Sequence, residues 1–309
     1  MRIVRHYRSP PDAAKGAVIA LGNFDGVHRG HQALIAEARR VATAAGRPLA
    51  AMVFEPYPRE FFQPNAEPFR LTSFRSKAEL LTAAGVDYLV VVKFNAEIAG
   101  LLAQDFVTDV LVRDLAAAHV VVGEDFRFGK ARGGDATVLA YMGEMEGFGV
   151  TVFRAVIEDG EKISSSKVRA ALKAGHPEQA AELLGHWWAV QGRVAHGDAR
   201  GRGLGFPTAN LRLKANLLQP KYGVYAVRVR HSGREHRAAA NFGVRPMFAV
   251  RAPLLEVHLL DFSGDLYGEL LQVEFIALLR GEMEFPDIEA LKRQMTADCA
   301  EARKILERL

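Results

Sequence analysis

The chain has 309 residues, 40 of them Lys or Arg, 36 Asp or Glu, and one cysteine. This length predicts two domains of about 100–200 residues each, and 49% hydrophobic with 25% charged residues are globular proportions that exclude wholesale disorder. Cys299 alone forms neither an internal disulfide nor a Cys-based zinc site, and a net charge of +4 allows anionic small molecules without calling for nucleic acid.

Arg2, Arg5 and Arg8 have no apolar segment after them, and no apolar run nears the ~18 residues of a membrane span, so a cytoplasmic protein without signal or membrane contact is expected. Ala17–Leu21 reads as a short strand ending in a Gly-rich turn. A helix follows from Gln32, with Leu34, Ile35, Ala38, Val41 and Ala42 at helical spacing. Strands over 49–54, 87–94, 119–123 and 150–153 then alternate with helical segments over 74–84, 104–118 and 135–148. Nearly all-apolar strands separated by helices predict a parallel sheet covered on both faces. Two short helices, over 166–174 and 177–184, end at Gly185, and 1–185 is taken as the first domain.

From Trp187 and Trp188 the pattern turns to β, and 186–309 is taken as the second domain. Tyr225, Val227 and Val229 alternate, His231-Ser232-Gly233 supplies a hairpin turn, and Leu255, Val257 and Leu259 alternate again. Short strands at this spacing predict a small antiparallel barrel. Arg228, Arg230, Arg234 and Arg237 read as a solvated sheet edge. A terminal helix is expected over 286–309, with Ile288, Leu291, Met295 and Cys299 on one stripe.

Gly22-Asn23-Phe24-Asp25-Gly26-Val27-His28-Arg29-Gly30-His31 lies between a strand and a helix. Ligands of parallel α/β sheets bind there, and the helix start offers free N–H groups and a positive dipole end to a phosphate. His28 and His31, three apart, can face one pocket and donate to a polyphosphate. A second helix begins at Ser164-Ser165-Ser166-Lys167-Val168-Arg169. Serines are ordinary caps, but Lys167 and Arg169 oppose the helix dipole, a conflict an anionic ligand would resolve.

A third segment, Gly192 to Asn210, is dense in Gly and Arg. Gly201, Gly203 and Gly205 would let a loop close over phosphates. Thr208 and Asn210, two apart, offer neutral oxygens on one side of a strand, a donor set suited to Mg²⁺ shared with substrate phosphates. Glu256 points away from Leu255, Val257 and Leu259, so it is either a cross-strand partner of Arg245 or Arg251 or a general base.

The first two segments resemble the HxGH nucleotidyltransferase superfamily. The full string from Gly22 is similar to the adenylyltransferase half of bacterial bifunctional riboflavin kinase/FAD synthetases. Gly123-Glu124-Asp125-Phe126-Arg127-Phe128-Gly129 resembles a further motif of that family, which implies flavin contacts for Asp125, Phe126 and Phe128. Gly205-Phe206-Pro207-Thr208-Ala209-Asn210 resembles its kinase signature, and Asn241 to Pro246, Leu255 to Phe262 and Asp265 to Gly268 resemble later motifs. The resemblance implies a Rossmann-like N-terminal domain with a parallel sheet and a C-terminal riboflavin kinase-like barrel with a terminal helix. It implies ATP-dependent phosphorylation of riboflavin to FMN, then adenylylation of FMN to FAD with release of pyrophosphate. Glu256 becomes the catalytic base, with His28 and His31 catalytic in the first site. Gly22 to Gly26, Ser164 to Lys167, Arg169, Gly203, Gly205 and Pro207 become nucleotide contacts, and Arg245 a flavin contact.

Two departures stand out. Tyr57 replaces the histidine of the family's F-x-P-H-P and cannot become cationic near neutral pH, so Tyr57→His is expected to restore FAD formation if that step is weak. Met247 replaces a threonine, without a functional account. The alternatives are a nucleotidyltransferase for another phosphorylated substrate with a non-catalytic barrel, and a flavin- or RNA-binding regulator without turnover.

Overall fold

The structure, a computed structural model, describes residues 1–158, 160–195, 205–244 and 253–309. The chain divides into two compact units, Met1–Glu67 with Lys77–Ile163, and Pro68–Ser76 with Ser164–Leu309.

In the first unit the strands are β1 (Arg2–Val4), β2 (Val18–Leu21), β3 (Leu49–Glu55), β4 (Tyr88–Lys93), β5 (His119–Gly123), β6 (Arg127–Phe128), β7 (Gly134–Asp135), β8 (Gly149–Phe153), β9 (Ile157–Glu158) and β10 (Glu161–Lys162). Six of them form a parallel sheet in the order β1-β4-β3-β2-β5-β8, while β6 with β7 and β9 with β10 form two small hairpins. Ile19 and Leu21 of β2 pack with Phe106, Val107, Val110 and Leu111, and Val18 and Ala20 on the opposite side are also fully buried. Both faces of the sheet are thus covered, as the apolar strands predict.

Three details differ from the sequence reading. The short strand β1 was not expected, since two of its three residues are exposed. The first helix spans Arg29–Ala44, three residues earlier than predicted, because His28 caps it. The segment expected as a helix over 104–118 is a short turn, Ala103–Asp105, running into a π-helical stretch, Phe106–Asp114.

In the second unit, helices Ser165–Ala174 and Pro177–Leu184 both end on a left-handed glycine, Gly175 and Gly185. Strands β11 (Ala189–Ala195), β12 (Ala209–Arg212), β13 (Gly223–His231), β14 (Arg234–Val244), β15 (Pro253–Leu259) and β16 (Leu270–Arg280) close an antiparallel barrel in the order β11-β12-β15-β14-β13-β16. Trp188 fills this core, tilted against Phe275 at 4.9 Å between centroids, and its Nε1 donates to the Leu71 carbonyl at 2.8 Å. The helix Ile288–Leu306 packs on β13, β14 and β16, with Asp287 as its cap.

Gly192, at the head of the Gly- and Arg-dense segment, is a strand residue of β11. It is covered by Leu211, which would meet an added Cβ at 3.2 Å. The barrel corrects two expectations. The arginine hairpin is no open edge, because β13 and β14 are both paired on each side. Arg228 instead meets buried Glu274 at 2.7 Å and Arg237 meets Glu307 at 2.9 Å. Ile288 stands exposed in the first turn of the terminal helix, whose buried seam runs instead through Asp298 and Ala302.

Candidate functional site

The turn after β2 is built under backbone strain. Phe24 has φ 48°, Gly26 φ 82° and Val27 φ 43°. A β-branched residue at positive φ is an outlier that surrounding structure must hold in place. Phe24, Asp25, Gly26, Val27 and His28 are all buried, Gly22 is half-buried and Asn23 is exposed.

The His-x-Gly-His spacing has a direct structural cause. The His31 backbone N–H donates to His28 Nδ1 at 3.3 Å, so the histidine serves as helix cap. An imidazole that accepts through Nδ1 carries its proton on Nε2, which leaves that N–H to donate elsewhere. Gly30 makes room for the ring, since a Cβ there would lie 3.2 Å from the His28 ring atoms. The His28 and His31 rings stack at 3.6 Å between centroids, 17° apart in plane. The two histidines therefore act as one stacked pair at a helix N-terminus, which suits a phosphate group.

Behind this turn Asp25 and Tyr57, both singled out in the sequence, meet Glu55 and Lys77, which were not. The Tyr57 hydroxyl donates to Asp25 Oδ1 at 3.2 Å, both residues buried. Lys77, fully buried, places its Nζ 3.0 Å from Glu55 Oε1 and 4.2 Å from the centroid of the Tyr57 ring.

Of the expected flavin contacts, Phe128 is buried, 7% exposed and packed 5.6 Å from Phe106. Phe126 stacks on Phe128 at 5.5 Å and is half-buried, and exposed Asp125 pairs with Lys162 at 2.5 Å.

The serine-led segment forms the start of helix Ser165–Ala174 in the second unit, with Ser164 as cap accepting from the Lys167 N–H at 3.4 Å. Arg169 Nε donates to the Phe69 carbonyl at 2.7 Å and its guanidinium lies 5.4 Å from the centre of the Phe69 ring. Part of the charge conflict read from the sequence is thus answered within the protein. Ser165 and Lys167 are half-buried, and Ser166 is exposed.

On the barrel, Asn210 stands opposite Glu256 across β12 and β15, and Asn241 stands opposite Glu256 across β14 and β15. Leu255 and Val257, on the alternate face, are fully buried in the barrel core. Thr208 precedes β12 beside a small cavity of about 80 Å³ that it lines with Pro207, Val194, Asp265 and Tyr267. His258, given no role from sequence, donates from Nδ1 to the Pro207 carbonyl at 2.8 Å and so anchors the chain just before Thr208. Gly205 takes φ 88°, while Gly203 and Arg245 lie outside the described residues. Among the described residues no cluster of three or more His, Cys, Asp or Glu could hold a metal ion. Neutral oxygens on Thr208 and Asn210 next to one carboxylate fit Mg²⁺ of the kind that keeps waters and shares a substrate's phosphates.

A histidine-capped helix start in one unit, and a carboxylate between amides on a barrel in the other, suit a transferase that handles phosphate groups twice. The chain matches the FAD synthetase family over residues 11–167 and the riboflavin kinase family over residues 184–306. It is 42% identical over 306 residues to the bifunctional riboflavin kinase/FMN adenylyltransferase of Escherichia coli K12, covering 98% of this chain and 97% of that one. The protein of the same description from Pseudomonas fluorescens is 44% identical over 306 residues, covering 99% and 98%. A crystal structure described as a macrolide-efflux protein from Streptococcus pneumoniae superposes with a TM-score of 0.88 at 30% identity, covering 98% and 99%. Efflux is said of that protein. In this chain no helix of the described residues is long and apolar enough to cross a membrane. The chain belongs to the bifunctional riboflavin kinase/FMN adenylyltransferase family.

Proposed function

We propose that this chain makes FAD from riboflavin in two transfers from ATP. The barrel phosphorylates the 5′-hydroxyl of the ribityl chain to give FMN and ADP, and the parallel-sheet domain joins FMN to AMP and releases pyrophosphate. The observation that carries the reading is that both family matches fall in order on one chain, together covering nearly all of it.

In the kinase step the hydroxyl oxygen attacks the γ-phosphorus while Glu256 accepts its proton. A positioned carboxylate in that role contributes typically about 10²–10⁴ in rate. Thr208 and Asn210 would hold Mg²⁺, which supplies charge neutralisation for the ATP phosphates when bound. Pro207, Gly203 and Gly205 would follow the nucleotide, and Arg245 the flavin.

The second step needs no protein nucleophile. A phosphate oxygen of FMN attacks the α-phosphorus and pyrophosphate leaves. His28, donating through Nε2, and the N–H groups of the Arg29–Ala44 helix stabilise the charge on the departing group. His31, stacked on His28, holds that ring in place. On the family resemblance, Ser164 to Lys167 and Arg169 are assigned to nucleotide phosphates, and Gly22 to Gly26 to backbone contacts with the nucleotide. Asp125, Phe126 and Phe128 are assigned to the flavin.

Incubation of the pure protein with riboflavin, ATP and Mg²⁺, followed by separation of FMN from FAD, tests the reading. Both products are expected, and neither without Mg²⁺. Absence of both products in complete buffer would overturn it.

A further inference from the structure

We propose that Tyr57 is a positioning residue for adenylyl transfer, holding the strained Gly22–His28 turn through Asp25 and itself fixed by the buried Lys77, which pairs with half-buried Glu55. The proposal rests on the adenylylation reading above and deepens it.

The turn that carries His28 departs from ordinary backbone geometry at Phe24, Gly26 and Val27. Such a segment keeps its shape only if something outside it makes the relaxed shapes worse. Asp25, in the middle of the turn, is 3% exposed, and its carboxylate accepts the Tyr57 hydroxyl at 3.2 Å. A hydrogen bond to an ionised acceptor in a site closed to water is the strong kind, because water cannot replace it.

The tyrosine is fixed in turn. Its backbone N–H donates to Glu60 Oε2 at 3.1 Å, and it caps the short helix Pro58–Phe62. Its ring, 2% exposed, covers the Lys77 ammonium at 4.2 Å, and that ammonium is anchored on Glu55 at 3.0 Å. A cation against an aromatic face gains most where both are desolvated, as here. Lys77 is 0% exposed, so its charge stabilises the ring and the Glu55 carboxylate rather than a nucleotide in solution.

This arrangement changes what the Tyr57 departure means. A histidine at 57, once protonated, would stand a cation against the Lys77 ammonium in a dry site, where like charges repel strongly. It would also lose the phenol hydroxyl that reaches Asp25. The lysine under the ring and the tyrosine above it belong together. Phosphate holding falls to the histidine pair and helix start, and Tyr57 keeps them in register.

The test uses the full chain and the variants Tyr57→Phe and Tyr57→His, with FAD formed from supplied FMN at varied ATP. FMN formation from riboflavin on the same samples is the internal standard. Loss of a hydrogen bond to a buried carboxylate predicts a fall in kcat/KM for ATP of about tenfold or more in Tyr57→Phe, carried mostly by kcat, with the kinase rate unchanged. Tyr57→His is expected to be slower than wild type, and slower still as pH falls and its imidazole protonates beside Lys77. Asp25→Asn added to Tyr57→Phe should cost less than in wild type, because the two act through one bond. An unchanged kcat and KM in Tyr57→Phe, or a Tyr57→His enzyme as fast as wild type, would overturn the proposal. If the wild-type chain makes FMN but no FAD, the adenylylation reading fails. Hydrogen exchange then decides the structural half: faster exchange of the 24–28 amides in Tyr57→Phe supports the tether, and an unchanged rate sinks it.

Discussion

Asn210 and Glu256 are direct partners across β12 and β15, and Asn241 flanks the same glutamate from β14. Directly opposite residues in an antiparallel pair project to the same face with Cβ atoms about 4.5–5.5 Å apart. The row therefore sets one carboxylate between two amide-bearing residues, on the face opposite the core residues Leu255 and Val257. Register, rather than any loop, decides that these groups meet, and a slip of one residue would turn all of them into the core.

Glu256→Gln keeps the shape of the side chain and removes its capacity to take a proton. FMN formation is expected to fall by about 10²–10⁴, while FAD formation from supplied FMN stays at the wild-type rate. Separating the two products in parallel assays checks this. Equal loss of both activities in a folded variant would mean that the two sites are not independent.

His28 performs two tasks that substitution can separate. His28→Ala removes both the ring and the cap, and loss of a helix cap costs about 0.5–2 kcal/mol. His28→Asn restores a capping side chain without an imidazole. Both variants should lose FAD formation and spare the kinase, but only the alanine variant should melt earlier. A matching drop in Tm for the two would show that the His28 ring contributes to stability through stacking on His31 rather than through the cap.

The contrast between these sites explains what was legible in the sequence. The parallel sheet was readable because β2, β3, β4 and β5 are apolar runs with no polar face to confuse the period. Glu256 was readable because Leu255, Val257 and Leu259 alternate around it. The first-helix boundary was missed because the capping side chain is a histidine, outside the usual set of Ser, Thr, Asp and Asn. Nothing local reveals that Leu211, nineteen residues on, lies over Gly192. The same limit hid the Tyr57 cluster. Asp25 and Lys77 come from segments far in sequence from the Glu55–Tyr57 stretch, and a lysine within a helix reads as an exposed residue. Only parallel strand order brings the ends of β2 and β3 side by side, and with them the turn and the tyrosine.

His119 and Gly149 make a second such pairing, this one in β5 and β8. They are register partners, and the His119 ring occupies the space a Cβ at Gly149 would need. Gly149→Ala should therefore destabilise the first domain by about 1–3 kcal/mol through overpacking. Burial holds the His119 pKa below its usual 6.5, against a small opposing pull from Glu37. The folded state then binds this proton less readily than the unfolded state. Above pH 6.5 both states are neutral at this site and its effect on stability is flat. As pH falls below 6.5 the unfolded chain takes up a proton first, and stability drops until the folded histidine also protonates. His119→Gln, which can still bond to Thr151 Oγ1, should show a shallower fall of Tm between pH 7 and 5 than wild type. An identical slope would place the acid sensitivity elsewhere.

Besides the exposed pairs Arg303–Asp261 and Arg237–Glu307, a largely buried polar contact fastens the terminal helix to the barrel. Arg280, near the end of β16, donates from Nε and Nη2 to Asp298 at 2.9–3.1 Å, and Gln294 donates to the same carboxylate at 2.9 Å. The Asp298 side chain is 8% exposed and that of Arg280 17%. Removing one partner of a buried pair costs about 3–5 kcal/mol, mostly because the other charge is left without compensation, whereas replacing both with apolar groups is far milder. Asp298→Ala should lower barrel stability by an amount near the low end of that range, given the remaining water access to Arg280. Arg280→Met combined with Asp298→Leu should recover most of it. Urea titrations followed by the fluorescence of Trp187 and Trp188, the second of them inside the barrel, would read the difference. If the double variant were as unstable as Asp298→Ala, the cost would belong to helix packing around Ala302 and not to the stranded guanidinium.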